Sequence, residues 1–352
     1  MKMKLQVSIN CKHIEGPYGG GNQFVINLEN FLLDRGHKVF RELVPGLDVI
    51  LVVSSKPNYQ TTSYSPLDIS HYIFREPNTV VVHRINTCDE QRAQDSGIDN
   101  AVLEANHLAH HTVFVSRFIR ELFVSHGINT AKPHSVILTG ADEKVFNPEG
   151  RAAWRKNQKL KIVTHHWSKN YLKGFDIYEH LDLLLEKEPF KHMFEFTIIG
   201  NLPIGIRFKN TCLVPLLSGV ELAKKLKEHH HYLTGARYEP GGNHYVEAMR
   251  CGLPVLYLES GSSGEYCSQY GGVGYNLANF EEKLLSIHNR LDKMRSKVLE
   301  CPYSAEKMAC EYESLFVRLV NQRSENPLPK PGVRSTISIL LRTYLKKVRN
   351  LV

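Results

Sequence analysis

Short apolar runs alternate with stretches of helical periodicity along most of the chain. The runs at 5–10 (LQVSIN), 47–53 (LDVILVV), 79–83 (TVVVH), 112–116 (TVFVS) and 135–138 (SVIL) read as strands. Residues 22–35 read as a helix, with Phe24, Leu28, Phe31 and Leu32 on one face and Gly36 as its stop. Further helical stretches fall at 97–108 and 117–126. A turn-rich stretch, Asn147-Pro148-Glu149-Gly150, interrupts the series, which then begins again. Strands are expected at 160–166, 194–200, 231–236 and 253–258, with helices at 174–187, 218–229, 244–251 and 279–293. These strands are apolar throughout rather than alternating, so both faces need cover, which indicates an α/β fold with parallel sheets between helices.

The pattern divides the chain into two α/β units, 1–148 and 149–302, a division that suits a length of 352 residues. Residues 303–323 read as a further helix that packs back across the units, and 324–352 as a Pro-rich linker with a basic amphipathic tail. A site shared by two such units belongs in the cleft at the carboxyl ends of the strands.

Charge adds one refinement. The formal net charge is +8, but Lys330, Arg334, Arg342, Lys346, Lys347 and Arg349 supply six of these, leaving +2 for the rest. A nearly neutral body argues against a nucleic-acid-binding face. From Ile337 the tail carries Leu340, Leu341, Tyr344, Leu345, Val348, Leu351 and Val352 along one helical face. An anionic membrane surface and the protein's own body are equally good seats for that face, which makes peripheral membrane attachment through 334–352 one expectation.

No run of eighteen apolar residues occurs, and the first residues lack the apolar core of a signal peptide. The seven cysteines include no CxxC pair, so a reducing cytoplasm is expected. Histidines cluster at 110–111, 165–166 and 229–231, yet they lack Cys or Asp partners at ligand spacing, and no metal is expected.

The chemistry-bearing segment runs Tyr238-Glu239-Pro240-Gly241-Gly242-Asn243-His244-Tyr245-Val246-Glu247. A glycine-rich turn leads into a helix with Asn243 as candidate N-cap. The free N–H groups of His244 and Tyr245, backed by the helix dipole, form a seat for a diphosphate. Glu247, one turn in, is placed to accept hydrogen bonds from ribose hydroxyls, and Glu239 from sugar hydroxyls. Earlier in the chain, Gly19-Gly20-Gly21 lacks the spacing of a dinucleotide-binding loop. It reads either as a plain tight turn or as a close approach of the Gly20 and Gly21 N–H groups to a bound phosphate or sugar.

This segment resembles the E-x7-E signature of retaining GT-B glycosyltransferases of the large glycosyltransferase family 4, which includes sucrose-phosphate synthases and bacterial mannosyltransferases. Other matches follow in family order: Gly16 to Asn22 resembles the glycine-rich loop, and Thr139-Gly140-Ala141-Asp142 with Phe146 and Pro148 the linker. Trp167-Ser168-Lys169-Asn170 with Lys173-Gly174 resembles the donor-phosphate loop. The resemblance implies two Rossmann-like domains facing a cleft, with Glu247 on the donor ribose, Glu239 on the transferred sugar and Lys173 on the leaving diphosphate. Many members carry an Arg five residues before that Lys; here the position holds Ser168, with Lys169 as a substitute whose ammonium does not reproduce a guanidinium fork. A functional histidine near the sugar is also implied, for which His83 is the candidate, with Arg84 and Asn86 on the acceptor side; a hydrogen-bonded loop histidine is the plainer reading of His83.

The implied reaction is metal-independent transfer of a hexose-type sugar, with retention, from a nucleotide diphosphate sugar to a saccharide or lipid-linked glycan. It needs no cofactor. A nucleotide-sugar epimerase of the same shape and a catalytically silent nucleotide-sugar-binding protein are the alternatives.

Overall fold

The computed structural model describes residues 3–325 apart from 15, 17, 18, 58, 93–95 and 156, so the basic tail and its membrane expectation lie outside the described residues. The N-terminal half carries β1 (Gln6–Ile9), β2 (Lys38–Phe40), β3 (Val49–Val52), β4 (Val80–Ile85), β5 (His111–Phe114) and β6 (His134–Val136). They form one sheet in the order β2-β1-β3-β4-β5-β6. Its helices are α1 (Gly19–Asp34), α2 (Pro66–Arg75), α3 (Ile98–Asn106) and α4 (Arg117–Ser125).

The C-terminal half repeats the plan. Strands β7 (Leu160–His166), β8 (Phe194–Gly200), β9 (Cys212–Val214), β10 (His231–Thr234), β11 (Val255–Leu258) and β12 (Val273–Tyr275) lie in the order β12-β11-β10-β7-β8-β9. Around them run α5 (Phe175–Leu184), α6 (Phe190–Met193), α7 (Gly219–Lys227), α8 (Asn243–Arg250), α9 (Ser263–Cys267) and α10 (Phe280–Lys297). Every pairing in both sheets is parallel. All residues of β3, β4, β5, β10 and β11 are buried, as strands sandwiched between helices require.

The last described helix, α11 (Ala305–Glu325), returns to the first sheet. Its Met308, Tyr312, Phe316 and Val320 share a core with Phe24, Leu28 and Val82. The chain crosses between halves along two adjoining segments, where Ala141 N–H donates to the Tyr303 carbonyl and Ala305 N–H to the Ala141 carbonyl.

Several boundaries differ from the sequence expectation. Helix α1 begins at Gly19 rather than at residue 22, so the glycine triplet forms its first turn instead of a loop. Strand β4 continues to Ile85, two residues past the expected end at 83. Helix α11 extends to Glu325, into the stretch read as linker. Three-residue strands β2, β9 and β12 and the whole of α2 are additional elements.

Candidate active site

The site begins at the amino end of α8. Gly242, not Asn243, is the N-cap: its backbone is extended, and Asn243 is already the first helical residue. A glycine has no side chain to cap with, so the turn is closed from below. The buried Tyr245 hydroxyl accepts from the Gly242 N–H at 2.6 Å and donates to Ser262 Oγ at 2.8 Å. That leaves the first-turn N–H groups of His244 and Tyr245 as helix-end donors. Glu247 lies one turn further along, its Oε2 held by His165 Nε2 at 2.9 Å. The His244 ring meets Thr234 Oγ1 at 3.1 Å. Burial, followed by His166, Lys173 and His165, holds its pKa well below that of an ordinary imidazole.

Lys173 and Glu239, 66 residues apart, meet here with Nζ 2.5 Å from Oε2. Two local devices bring them together. Gly174 takes a left-handed φ of +100° directly against the end of β10, where a Cβ would sit 2.4 Å from the Gly235 Cα; only glycine fits. Arg237 then ties the two loops: its N–H donates to the Leu172 carbonyl, and its guanidinium forks onto Asp176 at 2.9 and 2.6 Å. The residue between fork and carboxylate, Tyr238, is the one described non-glycine residue with positive φ, at +53°. Such a conformation persists where surrounding contacts over-determine it. Here Tyr238 N–H donates to Ser260 Oγ, and the Glu239 carbonyl accepts from the Ser262 N–H and hydroxyl. Glu239 is thereby 92% buried beside the N-cap, the position of a Cβ on Gly242 lying 2.9 Å from its Cγ.

The other half supplies the facing wall. A Cβ on Gly20 would lie 2.9 Å from the Asn243 side chain, so the first turns of α1 and α8 meet end to end across the halves. Two positive helix ends and the Lys173 ammonium thus converge on one region, which favours an anion. Gly19 lies against the Trp167 indole, and the Asn86 amide faces Gly21 at 3.6 Å from where a Cβ would stand. Asn170 Nδ2 to the Gln91 carbonyl, Ser116 Oγ to the Pro240 carbonyl and Tyr266 hydroxyl to the Val115 carbonyl lock the halves around it.

Two candidates sit elsewhere. His83 was expected at the carboxyl end of its strand, facing the cleft. The strand runs on past it, and the ring is fully buried between Ser55 Oγ at 2.9 Å and Asn106 Nδ2 at 3.2 Å. Burial and then Lys132 lower its pKa to about 3, so it is a neutral member of the sheet's interior. Arg84 points to the opposite face, its guanidinium 3.8 Å above the Phe24 ring, with Nε and Nη1 lacking hydrogen-bond partners. Lys169 is exposed, while Ser168 Oγ accepts from the Asn170 N–H within the loop.

The clustered histidines are mostly structural. His110 Nδ1 accepts from the Val81 N–H, and His230 Nδ1 from the Lys161 N–H. His229 bridges the Lys225 carbonyl and Thr197 Oγ1. Sequence reading missed the His165 contact with Glu247 and the Arg237–Asp176 fork, since neither has a local spacing signal.

No protein-family model and no curated protein sequence matches the chain. Solved structures do. Sucrose-phosphate synthase from Thermosynechococcus elongatus aligns with a TM-score of 0.67 and 14% identity over 91% of this chain and 100% of that one. HepE from Anabaena in complex with UDP gives 0.65 and 14% over 90% and 100%. The catalytic domain of starch synthase IV from Arabidopsis thaliana, bound to ADP and acarbose, gives 0.67 and 13% over 91% and 100%. At these identities the likeness is one of fold: two parallel six-stranded sheets in the GT-B arrangement.

Proposed function

We propose that the chain is a retaining glycosyltransferase that moves a hexose-type sugar from a nucleotide diphosphate sugar to a saccharide or lipid-linked acceptor. The observation that carries this reading is the Lys173–Glu239 pair, 2.5 Å apart, beside the amino end of α8 and opposite that of α1. In the proposal the donor diphosphate sits on the His244 and Tyr245 N–H groups. Glu247 accepts the ribose hydroxyls. Lys173 exchanges its carboxylate partner for the departing phosphate, which frees Glu239 for hydroxyls of the transferred sugar. The Lys173 charge is worth more as the bond to the anomeric carbon lengthens and negative charge builds on the phosphate, so it acts on the transition state more than on the bound donor.

The anomeric C–O bond to phosphate breaks, and the acceptor oxygen bonds to the same face of that carbon. The phosphate oxygen takes the acceptor's proton. Asn86 takes the acceptor side, and the glycine turn of α1 turns the Gly20 and Gly21 N–H groups toward the donor. Positive charge comes from Lys173 and the helix ends, so no divalent cation is required and EDTA should leave the rate intact.

Incubation with UDP-, GDP- and ADP-sugars and a panel of saccharide and lipid-linked acceptors tests the reading. The expected result is acceptor-dependent release of nucleoside diphosphate, with an axial-donor product still axial by NMR. Sugar isomerisation without an acceptor would make the chain an epimerase. Tight donor binding without turnover across the panel would make it a binding protein.

A further inference from the structure

We propose that His165 is a positioning residue for donor ribose recognition, orienting the Glu247 carboxylate through a single hydrogen bond. The inference rests on the reading of Glu247 as the ribose acceptor. Three observations carry it. His165 is the penultimate residue of β7 and Glu247 lies in the second turn of α8, 82 residues away, yet Nε2 and Oε2 are 2.9 Å apart. Both side chains are nearly enclosed, at 11% and 13% exposure, so little water competes for the contact.

The second observation is how firmly the ring is anchored. Its backbone is held on both sides of the Cα, the His165 backbone N–H donating to the Tyr232 hydroxyl at 3.1 Å and that hydroxyl donating to the His165 carbonyl at 3.4 Å. The imidazole also stands edge-on to the Tyr232 and His244 rings, with centroids 5.5 and 6.3 Å away.

The third is what the ring leaves undone. Some buried histidines use both nitrogens on the protein, as His83 does on Ser55 and Asn106 and His229 on Lys225 and Thr197, while His111 and His231 spend their one ring contact on scaffold atoms, Ser135 Oγ and the Tyr232 carbonyl. His165 Nδ1 has no partner, and the polar contact its ring makes goes to Glu247. A carboxylate only accepts, so Nε2 carries the proton and donates. One lone pair of Oε2 is taken, and the carboxylate is fixed with its remaining lone pairs free. A ribose presents two neighbouring O–H donors, and a pre-oriented carboxylate accepts both without first surrendering rotamer freedom.

Calorimetry with UDP, GDP and ADP, followed by the 2′-deoxy form of whichever binds tightest, tests this on wild type, H165A, H165Q, E247A and the H165A/E247A double variant. H165A should weaken the ribonucleotide about tenfold, one charge-assisted hydrogen bond's worth, and the 2′-deoxy form much less. H165Q, whose amide also donates, should recover most of the loss. The double variant should bind no more weakly than E247A alone. Wild-type affinity in H165A, losses that add in the double variant, or equal loss for both nucleotides would each overturn the proposal. An E247A variant that binds like wild type would instead remove the ribose reading itself, and the inference with it.

Discussion

The two halves share a sheet plan but present different chemistry to each other. At the carboxyl edge of the second sheet, charged and hydrogen-bonding side chains are brought together from distant segments: Lys173 with Glu239, His165 with Glu247, Arg237 with Asp176. At the matching edge of the first sheet the contribution is mostly backbone, the glycine-rich turn of α1, with polar side chains held inward. His83 is tied into the sheet and Arg84 lies over Phe24. One six-stranded parallel sheet is thus a scaffold that either loads its loops with charge, as beside the amino end of α8, or keeps them small, as at that of α1.

The contrast can be broken most easily at Lys173. In K173A the turnover should fall about 10²- to 10³-fold, the usual effect of removing one preorganised stabiliser of developing charge. Donor affinity should change far less. Normal turnover would move the chemistry to another group, Lys169 being nearest in sequence.

The same operation on the first half should leave a different trace. H83A strands Ser55 and Asn106 in the interior, so stability should drop by about 1–3 kcal/mol in denaturant titration while donor affinity stays at the wild-type value. A variant of unchanged stability and lost turnover would give His83 a part in the reaction.

Acid should act on both halves. His83 and His231, one in each sheet, are fully buried, and burial lowers both to about 3 from 6.5. Unfolding releases them to take protons. Stability is therefore intact above about pH 6.5 and declines as pH falls toward 3, by up to about 1.4 kcal/mol per pH unit for each ring. A single cooperative acid transition is expected by circular dichroism. Separate transitions would show that one half resists acid better.

Much of this was legible in the sequence, for reasons that also explain the gaps. Buried strands such as β4 and β8 announce themselves as apolar runs. The edge strands β2, β9 and β12 are three residues long and partly exposed, and so carry no such run. Helix α2 had a readable start, Ser65 with Asp68 three residues on and Pro66 at its first position. It went unread because its apolar face is short. Glu239, Glu247 and Lys173 stood out because glycine turns and helix starts are local signals. His165 and Arg237 did not, since their partners come from other elements. His83 was misplaced by reading the end of an apolar run as the end of a strand.

The central claim is that the amino end of α8, Glu247 and Lys173 hold a nucleotide diphosphate sugar. Thermal unfolding of wild type and E247A against UDP-, GDP- and ADP-sugars tests it directly, since a ligand at a hundred times its Kd adds about 2.7 kcal/mol of stability. One class of nucleotide sugar should raise the wild-type Tm in a concentration-dependent way, and E247A should lose most of that rise. No shift with any nucleotide sugar, or the same shift in E247A, would contradict the account.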